Sequence, residues 1–133
     1  MAWGSNVDGE QSVPQPNADF VAIAAGSHHV LGLKSNGSVV AWGSNDWGQC
    51  SVPAPNEHFV AIAAGVVHSL GLKDDGTIVA WGRNYEVQCI VPQPNSDFVG
   101  LAAHGHHSVG LRIAETPVSE QMQSFGGVKG LFR

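Results

Sequence analysis

The sequence predicts an all-β protein made of about three copies of one small antiparallel sheet. Three observations carry that prediction. Ala2-Trp3-Gly4-Ser5-Asn6 returns as Ala41-Trp42-Gly43-Ser44-Asn45 and as Ala80-Trp81-Gly82-Arg83-Asn84, each copy 39 residues after the last. A fixed period of this length is the mark of one supersecondary unit copied in tandem. Composition agrees: only 13% of the 133 residues are charged, and Gly (17) and Pro (7) are frequent, which suits short strands and tight turns better than helices. Within each period, larger and small residues alternate over short runs bounded by Gly, Pro, Asn and Asp, the pattern of strands.

The repeats occupy residues 1–112, as units 2–40, 41–79 and 80–112. Units 1 and 2 match at 25 of 39 positions without a gap, so each residue of one reads directly onto the other. Unit 3 keeps the pattern to Arg112.

In the second period, Phe59-Val60-Ala61-Ile62-Ala63-Ala64-Gly65 reads as a tightly packed first strand, and Val66-Val67 as a short connection. His68 to Lys73 is the second strand. Asp74-Asp75-Gly76 is a hairpin turn, because Asp-Gly tolerates the positive φ such turns need; Asn36-Gly37 does the same one unit earlier. Thr77 to Trp81, rich in β-branched residues, is the third strand. A loop such as Asn45-Asp46-Trp47-Gly48 then leads to a short fourth strand ending at Val52-Pro53. Pro53-Ala54-Pro55-Asn56 breaks pairing and belongs to an edge and crossover. Four antiparallel strands per ~40 residues make a propeller blade. Small residues suit the innermost strand, and Trp3, Trp42 and Trp81 serve as wedges between blades.

The run Ala-Ala-Gly-x-x-His-x-x-Gly-Leu-Lys-x-x-Gly-x-x-Val-Ala-Trp-Gly-x-Asn is carried by Ala24 to Asn45 and Ala63 to Asn84, and in part by Ala102 to Arg112. It resembles the repeats of the regulator of chromosome condensation family. The short period and Gln49-Cys50-Ser51-Val52-Pro53 look closest to bacterial members, among them the propeller-type β-lactamase inhibitor protein. The resemblance implies a β-propeller, seven-bladed in the best-known relatives, which act by binding proteins as exchange factor, chromatin adaptor or inhibitor.

About three units fall short of a ring. The chain enters at the third strand of a blade (Ala2 to Asn6), and its repeats stop after the second (His107 to Arg112), so the start of one copy complements the end of another. The expectation is a homo-oligomer, six blades from two chains or nine from three, with the dimer favoured on known ring sizes. The rival expectation is a fragment of a longer propeller. For residues 113–133, which are not a repeat, a swapped strand, a cap and a disordered tail are all open.

Charge and motifs exclude several classes. Net charge is −5, and the six basic residues are scattered without the stripe a nucleic-acid binder shows. No apolar run reaches the ~18–20 residues of a membrane span. The repeat begins at Ala2, so no signal peptide is visible. Cys50 and Cys89 stand one period apart, on neighbouring sheets ~10 Å apart, beyond disulfide reach. Asp74 and Asp75 are paired carboxylates, but turn chemistry accounts for them. With no serine triad, nucleophile elbow or phosphate loop, no enzymatic activity and no cofactor are expected.

His29, His68 and His107 share one repeat position, which favours a structural role with a ring nitrogen bonded to backbone. His28 and His106 share another, and convergence of the two on zinc or nickel across blades is the less favoured reading, so no metal site is expected. The best clue is variability inside a constant unit. Two loops differ strongly between units: Ser27-His28, Val66-Val67 and Gly105-His106 between strands one and two, then Val7-Asp8, Asp46-Trp47 and Tyr85-Glu86 between strands three and four. In an antiparallel blade both emerge at one end. The expected binding face there comprises Asp8, Ser27, His28, Asp46, Trp47, Val66, Val67, Tyr85, Glu86 and His106, with Trp47 and Tyr85 as anchors for an unknown protein. The alternatives are that the two aromatics only cap blade ends, and that the chain is purely a self-assembling repeat. Exchange-factor and β-lactamase-inhibitor activities are the remaining, less favoured expectations.

Overall fold

The computed structural model describes residues 1–84 and 87–112; residues 113–133 lie outside them. The described regular structure is all strand. β1 (Phe20–Ala25), β2 (His29–Lys34) and β3 (Val39–Gly43) form one antiparallel sheet. β4 (Phe59–Ala64), β5 (His68–Lys73) and β6 (Ile78–Gly82) form a second, and β7 (Phe98–His104) and β8 (His107–Arg112) a third.

Registers repeat with the sequence. Ile23 faces Gly32 as Ile62 faces Gly71, and Val30 faces Trp42 as Ser69 faces Trp81. Each first strand carries an irregularity after its leading Phe, which turns Val21, Val60 and Val99 out to solvent. The hairpins close through Gly37 and Gly76, both at φ +87°, where a side chain would be strained.

The expected fourth strand is absent from the described sheets. Residues 44–58 run as turns and bends, and an asparagine takes over the edge. Asn56 Oδ1 accepts the Val39 N–H at 2.7 Å, and its Nδ2 donates to the Val39 carbonyl at 2.8 Å. Asn95 clamps Ile78 in the same way at 2.8 and 2.9 Å. A side-chain amide thus pairs both backbone groups that a strand would have paired. Prolines at positions 53 and 55 remove the N–H groups a continuous ladder requires.

The crossover is held from its other side by a cation. Lys73 Nζ donates to the Pro55 and Glu57 carbonyls (2.7 and 2.8 Å) and lies 4.4 Å from the centre of the Phe59 ring. Lys34 repeats this over Phe20, and Arg112 over Phe98.

Sheets stack in chain order, β4 against β1 and β2, and β7 against β4 and β5. The first interface buries Leu31, Leu33, Val39, Phe59 and Trp81; the second buries Ala63, Leu70, Leu72, Ile78 and Phe98. Full burial of one such leucine contributes about 2 kcal/mol. Trp42 and Trp81 are buried beside Phe20 and Phe59, with ring centres 6.1 and 6.3 Å apart. Each indole N–H reaches the preceding unit's loop, Trp42 the Glu10 carbonyl and Trp81 the Gln49 carbonyl. Trp3, at the same repeat position, is 82% exposed.

Candidate functional site

One end of every sheet gathers the variable loops. His29 pairs with Gly43 and His68 with Gly82, so the turn before the second strand lies beside the segment that leaves the third. Backbone bonds fasten the two: Ser44 N–H donates to the His28 carbonyl at 2.7 Å, and Arg83 N–H to the Val67 carbonyl at 2.9 Å.

Beneath this end lies a polar link between neighbouring sheets. His29 and His68 are fully buried. Ser69 Oγ donates to the Gln49 carbonyl (2.8 Å), leaving its lone pair for the Nε2–H of His29 at 2.9 Å. His68, Ser108 and the Gln88 carbonyl repeat the chain at 3.0 and 2.7 Å. This arrangement assigns the ring proton to Nε2 and leaves Nδ1 of both histidines buried without a hydrogen bond. Burial pulls the His29 pKa down from 6.5 to about 4, against a smaller opposing effect of the His68 backbone, and burial lowers His68 as well. Both rings are neutral at pH 7. The sequence predicts a ring nitrogen bonded to backbone at His29, His68 and His107; His29 and His68 bond a serine of the next sheet instead, and His107 is exposed.

The link needs glycine before the turn. A Cβ on Gly65 would stand 2.1 Å from His68 Cε1, and one on Gly26 2.6 Å from His29 Cε1. The third sheet has His104 at that position, and there His107 is exposed, its ring 6.0 Å from that of His104.

At the surface, the structure places the expected site residues unequally. Asp8 and His28 meet, with Oδ2 and Nδ1 3.2 Å apart. Ser27, Asp46 and His106 are exposed. Trp47 is 40% exposed with the Arg83 guanidinium 5.2 Å over its ring. Val66 is half-buried and donates its N–H to the Gly105 carbonyl of the next sheet. Val67 is 7% exposed, so its side chain faces the protein interior. Tyr85 and Glu86 lie outside the described residues. Cys50 and Cys89 are unpaired thiols, half-buried, and burial raises both pKa values.

Sequence reading missed Glu10, Ser69 and Ser108. Ser69 and Ser108 share one repeat position, and Glu10 stands where the other units have Gln49 and Gln88. Those columns held the signal.

Small repeated antiparallel sheets, stacked face to face with their variable loops at one end, define a β-propeller type of repeat protein. The sequence matches the regulator of chromosome condensation (RCC1) repeat over residues 20–49 and 59–88. Residues 20–49 and 59–88 are thus two RCC1 repeats, and the chain shares the RCC1 β-propeller fold.

Solved structures agree on the fold. Yeast RCC1 (Prp20) bound to Kap60 superposes with a TM-score of 0.66 at 22% identity, over 83% of this chain and 37% of that one. Prp20p of Saccharomyces cerevisiae, studied for its binding to Gsp1p and histones, gives 0.69 at 19%, over 85% and 40%. The ectodomain of the Arabidopsis thaliana receptor kinase ACR4 gives 0.68 at 28%, over 82% and 38%. The chain therefore spans about two fifths of each of these relatives. No curated protein sequence matches it.

Proposed function

We propose that this chain is a non-enzymatic propeller scaffold that binds protein at its loop end and joins other copies of itself through its two open sheet faces. The observation that carries self-joining is that the ends of the stack are two halves of one interface. Val109 and Leu111 of β8 are 53% and 45% exposed, at the repeat positions where Leu70 and Leu72 are buried against the next sheet. Ile23, 59% exposed on the first sheet, holds the position of Ile62 and Leu101, which pack into the interfaces. Among the described residues the third sheet has two strands, and exposed Trp3 belongs to a third-strand segment. Residues 2–4 of a second copy fit the free edge of β8, bringing Trp3 beside Phe98 as Trp81 stands beside Phe59.

For protein binding, the support is the loop end and the family. Yeast Prp20 is bound to Kap60 in its crystal structure, and this chain shares that protein's fold. Trp47, together with the polar Asp8, Ser27, His28, Asp46 and His106 of the loops at the same end of the sheets, offers an aromatic anchor and the polar groups of an interface rim, with Val66 beside them. Val67 supports the proposed face from below; Tyr85 and Glu86, which the sequence also assigns to it, lie outside the described residues.

Light scattering over a range of concentrations tests the first part. A particle of twice 13.9 kDa is expected, reduced to a folded monomer by Leu111→Asp or Trp3→Ala. A wild-type chain that is monomeric and fully folded at every concentration removes self-assembly. For the second part, a partner captured on the wild-type chain and identified by mass spectrometry is expected to be lost on Trp47→Ala and kept on Leu111→Asp. Equal capture by wild type and Trp47→Ala removes the loop end as the binding face.

A further inference from the structure

Asp8, Glu10 and His28 bring two carboxylates and an imidazole together, each with one donor atom within 4.8 Å of the other two. Two backbone anchors set the loop that carries the acids. The Trp42 indole N–H holds the Glu10 carbonyl at 2.9 Å, and Glu10 Oε1 accepts the Asp8 N–H at 3.0 Å. The second Glu10 oxygen is left for a ligand. His28 comes from the turn between β1 and β2 and presents Nδ1 to Asp8.

The repeats show which part of this arrangement the fold requires. Unit 2 has Trp47, Gln49 and Val67 at the same three positions. Gln49 Oε1 accepts the Trp47 N–H at 2.9 Å, the bond that Glu10 makes to Asp8. An amide oxygen therefore suffices for the loop, and the negative charge of Glu10 is surplus to folding. It also carries a cost: a carboxylate pair within 4.8 Å repels by about 1 kcal/mol even at the dielectric constant of water. A bound cation removes that repulsion and uses all three donors.

We propose that Asp8, Glu10 and His28 bind a divalent transition-metal ion of the zinc class, which staples the loop over residues 6–11 to the turn between β1 and β2. The imidazole favours such an ion over calcium, which takes six to eight oxygen ligands. Zinc bonds of about 2.0–2.2 Å place neighbouring donors roughly 3.3–3.6 Å apart in a tetrahedron. Asp8 and His28 already stand at 3.2 Å, and their side chains, 33% and 54% exposed, are free to adjust. Three protein donors leave the fourth position to water or to a donor from another molecule. The site shares Asp8 and His28 with the proposed protein-binding face, whereas Glu10 lies outside it, and the site is separate from the open sheet faces.

Calorimetric titration of the full chain with zinc chloride at pH 7 tests it. One zinc per chain is expected, with affinity reduced at least tenfold in Glu10→Gln and in His28→Val. Both variants install the residue that unit 2 carries at the same position, so the fold has a precedent for each. Zinc is also expected to raise the melting temperature of the wild type and not of Glu10→Gln. His106→Ala is expected to bind as the wild type does. Absence of binding overturns the proposal. So does binding that survives both Glu10→Gln and His28→Val, or that is lost with His106→Ala, since the ion then sits elsewhere.

Discussion

Acid is expected to loosen the contact between the first two sheets through one residue, His29. The ring is fully buried and neutral, with Nε2–H on Ser69 and a bare Nδ1. Unfolded, it takes up a proton near its ordinary pKa of 6.5; folded, only near 4. Below 6.5 the unfolded chain binds the extra proton and gains. The stabilisation is complete above that value and is lost as pH falls from 6.5 towards 4. A separation of about 2.5 units is worth about 3 kcal/mol in full, and about 2 kcal/mol of it disappears between pH 7 and pH 5. His68, lowered by burial as well, adds loss of the same sign between the second and third sheets. Urea unfolding followed by tryptophan fluorescence reads this, since Trp42 and Trp81 are buried between elements. His29→Gln removes the titrating group, so the fall in stability from pH 7 to 5 is expected to shrink by about 2 kcal/mol, whatever the variant's stability at pH 7. Equal falls in wild type and variant refute the reasoning.

Two further substitutions probe the repeat. Gly65→Ala puts a methyl where the His68 ring lies and is expected to expel it, as His104 accompanies an exposed His107. The cost is about 1–3 kcal/mol by denaturation, together with a His68 ring whose NMR titration rises towards 6.5. Asn56→Ala removes both bonds to Val39, which lowers stability by about 1–3 kcal/mol and speeds exchange of the Val39 amide. Unchanged exchange at Val39 tells against the side chain as substitute for a fourth strand.

Much of the fold is legible in the sequence because the period repeats. Alternation in Phe59–Ala64, the Asp75-Gly76 turn and the wedge at Trp81 are local or strictly periodic signals. The edge was not legible. Val52 and Pro53 read as a strand, yet pairing at that edge comes from Asn56, whose amide returns to Val39, 17 residues back, only when the crossover is folded. Similarly, a pair such as Asp8 and His28 is 20 residues apart in the chain and 3.2 Å apart in space. Variation between repeats pointed to both residues but not to Glu10, whose column is almost constant in shape and differs only in charge.

By itself, then, the sequence determined the unit, its turns and its buried apolar positions, because strand alternation and turn chemistry depend on near neighbours and recur every 39 residues. Only the tertiary structure decided which sheet supplies the serine for each buried histidine, which faces of the stack stay open, and which three donors converge at the loop end. Those outcomes depend on distances between residues 20 to 40 apart in the chain, fixed when one sheet packs on the next.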